Sequence, residues 1–155
     1  TLHLTPDGVG MIAATEGIGA MIGAVLAGRS KTIGQVWVAY GGGVSVCMIG
    51  ILIMGTGQDV AWVVTGIIVA GFGAGFFAAT QVMITYRLSP PDQRSRMLGI
   101  LTFCIGSAPI GFAVLGYMSD WLGTGPALVI MGVEGIIAMS LFWLIFRHAI
   151  RASAR

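Results

Sequence analysis

Five stretches of about twenty or more residues, almost free of charge, follow one another along this chain, and a helix needs about that length at 1.5 Å per residue to cross a bilayer core of roughly 30 Å. They cover residues of about 8–28, 33–55, 60–86, 97–118 and 126–146. Apart from Glu16 and Glu134, charge is confined to the connections and chain ends, above all to Arg87-Leu88-Ser89-Pro90-Pro91-Asp92-Gln93-Arg94-Ser95-Arg96-Met97-Leu98-Gly99. Only 9% of the residues are charged and 56% are apolar, with a mean hydropathy of +0.93, whereas soluble domains carry about 25% charged residues. A soluble helical bundle would show polar stripes at the helical period, but these runs are apolar all round. The chain is therefore predicted to be an all-α integral membrane domain of five spans, with the lipid bilayer as its surroundings.

The same totals exclude other classes. A net charge of +2 is too small to call for nucleic acid. Cys47 and Cys104 both fall in apolar runs and read as buried thiols rather than a disulfide framework. His3 and His148 are assigned to opposite faces of the membrane, and neither has a Cys or acid nearby at metal-ligand spacing. No nucleophile elbow or phosphate-binding loop is present. The sequence thus predicts no enzyme, no metal and no cofactor.

Local signals place the ends of the spans. Pro6 and Asp7 mark the first helix start, and Ser89 with Pro90 and Asp92 reads as the N-cap and first turn of span four. Pro109, flanked by Gly106 and Gly111, predicts a kink in that span. Trp37, Trp62, Trp121 and Trp143 lie near span ends, as aromatic belts do.

Numbering the connections alternately puts all eight basic residues on one side: Arg29 and Lys31, then Arg87, Arg94 and Arg96, then Arg147, Arg151 and Arg155. The other side holds Asp7, Asp59 and Asp120 and no Lys or Arg. The positive-inside rule then makes the basic side cytoplasmic, with an outside N-terminus and a cytoplasmic C-terminus. An odd number of spans with an outside start and no basic leader predicts further spans upstream.

Glu16 and Glu134 are the acids at bilayer depth. Ionisable groups there cost several kcal/mol and mark pathways, proton sites or buried pairs. Glu16 shares a helix face with Gly19, Ala20, Gly23 and Ala27; that face borders either a cavity or a closely packed helix. Glu134 sits in an oilier setting, among Ile130, Met131, Ile137 and Ala138. Gln81, with Thr80 and Thr85, is a candidate for substrate contact or for hydrogen bonding between helices. Gly71-Phe72-Gly73-Ala74-Gly75 is a poor dinucleotide fingerprint, having no preceding strand. Gly19/Gly23 and Gly71/Gly75 instead match small-xxx-small packing faces.

Pro91-Asp92-Gln93-Arg94-Ser95-Arg96-Met97-Leu98-Gly99 resembles the P-D-x-x-R-G-R-x-x-G segment between helices ten and eleven of major facilitator superfamily exporters, notably the enterobactin-exporter-like drug and siderophore efflux group. Pro109-Ile110-Gly111, Gly116, Asp120 and Gly123 are similar to that group's continuation. Residues 23–34, with Gly28-Arg29, resemble its basic loop between helices eight and nine, and Leu4 to Gly10 resembles the segment before helix eight. Ser95 stands where the family usually has glycine, and the loop holding Arg29 and Lys31 lacks the usual acid. The resemblance implies helices eight to twelve of a twelve-helix transporter whose N-terminal half lies upstream, in a bacterial inner membrane. It implies proton-coupled efflux (antiport) of a small lipophilic or siderophore-like molecule by alternating access. Glu16, Gln81 and Pro109 would then lie on cavity helices and Glu134 on an outer one, while Arg29, Lys31, Asp92, Arg94 and Arg96 would form a cytoplasmic gate. The alternative is a non-transporting membrane subunit or receptor that uses its glycine-rich helix faces for assembly.

Overall fold

The computed structural model describes the backbone of residues 6–153 and most side chains between residues 12 and 146. The side chains of His3, Asp7, Arg147, His148, Arg151 and Arg155 lie outside the described residues, as does the segment before Pro6. Among the described residues every element is a helix: α1 (Pro6–Ala27), α2 (Ile33–Thr56), α3 (Val60–Leu88), α4 (Arg94–Ile105), α5 (Ala108–Leu122) and α6 (Thr124–Ser153). Among the described residues, four stretches are long and apolar enough to cross a bilayer, namely Ile33–Thr56, Val60–Leu88, Arg94–Leu122 and Thr124–Phe146. α1 adds a shorter apolar stretch, Ile12–Ala27.

The connections are short and well capped where α2 and α3 begin. Thr32 accepts a hydrogen bond from the Gln35 amide at 3.2 Å, and the Gln35 side chain accepts from the Thr32 amide at 3.2 Å. This reciprocal pair satisfies two amides at the start of α2 that the helix itself cannot. Asp59 caps α3 singly, accepting from the Trp62 amide at 2.7 Å.

Ser89 departs from its expected role. Rather than starting span four it closes α3, its amide and its hydroxyl both donating to the Thr85 carbonyl. Pro90 explains this, because a residue before proline is driven out of the helical region, and Ser89 is extended at φ −85° and ψ 137°. Residues 91–93 form a turn, with the Gln93 amide on the Pro90 carbonyl at 3.0 Å. α4 therefore starts at Arg94, and the Gln93 side chain makes no cap hydrogen bond.

Near Pro109, where a kink is expected, the regular α-helix is interrupted but hydrogen bonding continues, with the Gly106 amide on the Thr102 carbonyl at 2.9 Å. α4 ends at Ile105 and α5 begins at Ala108, with Gly106 and Ser107 between. The Ser107 amide turns back to Cys104 at 3.1 Å, and its hydroxyl donates to the same carbonyl at 2.6 Å. Pro109 falls in the first turn of α5, where its missing amide proton costs no hydrogen bond.

α3 is the centre of the assembly, packed against α1 on one side and α2 on the other. Its glycines explain how. Residues two apart point about 200° away from each other on a helix, so Gly71 and Gly73 face opposite neighbours. A methyl on Gly71 or Gly75 would strike the carbonyl of Glu16 or Ala20 on α1; one on Gly73 would strike the backbone of Cys47 on α2. The partner glycines are equally tight, with a methyl on Gly19 only 2.6 Å from the Ile68 carbonyl and one on Gly43 2.8 Å from the Phe77 amide. In lipid, where apolar side chains gain little by leaving their surroundings, such close backbone approach supplies the packing energy. α6 docks on α2, Trp143 lying over Gly41 and Met48 against Gly135.

Candidate functional site

Glu16 gains its position from a glycine on another helix. Because Gly71 has no side chain, the Glu16 carbonyl rests directly against α3. The small-residue face of α1 is thus a helix contact, in which Gly19 and Gly23 meet Ile68, Phe72 and Phe76. The Glu16 side chain is exposed and lines a cavity of about 400 Å³. Its other walls include Cys47 from α2, Ala74 from α3, Phe112 from α5 and Met131 from α6. Glu16 is the one carboxylate on this wall, and the remaining lining is almost wholly apolar. An ionised side chain among apolar neighbours is costly unless it is partnered, so such groups at bilayer depth mark sites of function.

The break between α4 and α5 borders the same space, since Ala108 and Gly111, on either side of Pro109, line the cavity. Two other sequence candidates do not. Glu134 is exposed on α6, and Gln81 is half-buried on α3; neither is among the residues lining this space. A second cavity, of about 460 Å³, lies between α2, α3 and α6 with Tyr40, Phe77 and Phe142 on its walls. It shares Cys47 and Ala74 with the first. None of these lining residues stands out in sequence, because alanine, methionine and phenylalanine read alike whether they face lipid, protein or a cavity.

At the basic end, Arg29, Lys31, Asp92 and Arg96 are exposed. Arg94 is half-buried, its guanidinium 4.2 Å above the Tyr86 ring centroid, and it donates to the Tyr86 hydroxyl at 3.2 Å. A cation over an aromatic face is attracted by the ring quadrupole, more strongly as water is excluded. Arg87, which motif reasoning did not single out, makes the long-range contact here. It donates to the carbonyls of Lys31 at 3.1 Å and Ser30 at 3.3 Å. A cation in the last turn of a helix is visible in sequence; that it reaches a loop some fifty-six positions away is not.

Among the described residues, no group of three His, Cys, Asp or Glu side chains is placed to hold a metal ion. The family model of the Major Facilitator Superfamily matches residues 1–154. No curated protein matches the chain.

Proposed function

The chain belongs to the Major Facilitator Superfamily, whose members are multi-pass membrane transporters of small molecules, and on that premise we propose that it is part of a proton-coupled exporter working by alternating access. The reading takes residues 1–155 as one transmembrane unit corresponding to helices eight to twelve, in the enterobactin-exporter-like group. The basic end then faces the cytoplasm of a bacterial cell, by the positive-inside rule. The exposed faces of α4 and α5 favour further spans of the same transporter packing there, its N-terminal half in this reading. Arg29, Lys31, Asp92, Arg94 and Arg96 are assigned to closing the cytoplasmic side, while Gln81 and Glu134 have weaker claims to the transport path because they lie off the cavity wall.

The observation that carries the proposal is Glu16 on the wall of an otherwise apolar cavity. In alternating access, a group that binds a proton on one side and releases it on the other must face a space that opens to each in turn. Glu16 is assigned that part, and the apolar lining suits a small lipophilic substrate. The rival reading, a non-transporting subunit assembling through glycine faces, is weakened because Gly19 and Gly23 of α1 already meet α3, whose Gly71 and Gly75 meet α1.

The test is Glu16→Gln in the full-length protein, reconstituted in liposomes and assayed for movement of a lipophilic dye under an imposed pH gradient. Dye movement driven by the gradient is expected to fall to background while dye still binds. Undiminished movement would remove Glu16 from the mechanism.

A further inference from the structure

We propose that Arg87 is a positioning residue, clasping the α1–α2 connection to the end of α3 so that the helix bearing Glu16 stays seated on its neighbour. The transport consequence rests on the exporter reading above; the clasp itself does not. Its geometry is that of a fork: two guanidinium nitrogens reach two successive carbonyls, those of Ser30 and Lys31. Those carbonyls lie in the connection between the end of α1 at Ala27 and the Thr32 cap of α2, where no helix hydrogen bond claims them.

The rest of the connection is built to present them. The Arg29 and Ser30 amides fold back to Leu26 and Ala27, at 3.1 and 3.0 Å. The Lys31 and Thr32 amides go to the Gln35 side chain, at 2.9 and 3.2 Å. Four amides are thus satisfied locally, while the two carbonyls are left for Arg87. The connection contains no acidic residue, and the clasp needs none, because its acceptors are backbone groups. Planarity matters here, since the guanidinium holds two nitrogens apart in a fixed plane, one for each carbonyl, whereas a lysine would bring a single nitrogen on a flexible stem. The preceding residue, Tyr86, holds Arg94 at the start of α4. Two adjacent residues at the end of α3 therefore gather the α1–α2 connection and α4 at one point.

The test is hydrogen exchange followed by mass spectrometry on the full-length protein in lipid nanodiscs, comparing Arg87→Ala, Arg87→Lys and Gln93→Ala. Arg87→Ala is expected to speed exchange of the Lys31 and Thr32 amides about tenfold, the loss of a charge-assisted hydrogen bond, with α5 unchanged. Arg87→Lys is expected to fall between wild type and alanine, and Gln93→Ala to match wild type. The matching transport result is lower dye turnover in Arg87→Ala with partial return in Arg87→Lys. Unchanged exchange in Arg87→Ala, or an equal rise in Gln93→Ala, would overturn the clasp. If the alanine variant fails to fold, wild-type exchange in Arg87→Lys would do so. Failure of the Glu16→Gln test alone would remove the proton-coupling reading and leave the exchange result standing.

Discussion

α1, α2 and α3 hold one another through backbone, whereas α4 and α5 scarcely hold anything. In the first group, glycines and alanines are buried at the crossings, and Val36 and Thr80 are completely covered. In the second no residue is buried, Phe103 being 83% and Trp121 77% exposed. Both regions carry glycines, but those glycines differ in use. A methyl on Gly75 would collide with Ala20, while methyls on Gly99, Gly111 and Gly116 would meet nothing within 4 Å. Glycine in a membrane helix is thus a packing device only where a neighbour's backbone fills the missing side chain. Elsewhere it carries the ordinary helix penalty.

The largest effect should come from Gly75→Ala. With backbone on the opposing side nothing can yield cheaply, so the cost is put at about 3 kcal/mol, measured by detergent unfolding of the reconstituted protein. Gly116→Ala should move the other way, gaining up to about 1 kcal/mol from helix propensity. Equal losses at both positions would erase the contrast. A smaller difference is expected at the helix starts. Asp59→Ala removes the α3 cap and should cost about 1 kcal/mol, while Gln93→Ala removes no cap bond at α4 and should stay within about 0.5 kcal/mol. The smallest effect belongs to Pro109→Ala, also within about 0.5 kcal/mol, because the ring already sits where no amide bond is lost; its mark should be on dye turnover instead.

The membrane class and the helical build were legible because they depend on run length and charge spacing, both properties of sequence alone. The small-xxx-small spacing of Gly19/Gly23 and Gly71/Gly75 likewise carried its meaning directly. Ser89 did not, because a serine with proline after it and an acid three positions on satisfies the rule for a helix start. The same Pro90 that suggested a beginning enforces an ending on the residue before it. The cavity walls were illegible for a different reason. In a span apolar on every side, Ala70, Ala74 and Met131 give no sign of which face is turned inward. Arg87 was hidden because its acceptors are main-chain oxygens, which every residue possesses.

Gly123 has a consequence for α5. It adopts φ 87° and ψ 154° between the last residue of α5 and the first of α6, with its amide on Ser119 at 3.0 Å. A side chain there would be strained at this positive φ, so the reversal depends on glycine. At its opposite end α5 meets α4 through the hydrogen-bonded turn at Gly106 and Ser107. The segment is thus suspended between a glycine reversal at its foot and a hydrogen-bonded turn at its head, and it carries Phe112 onto the wall of the space that Glu16 faces.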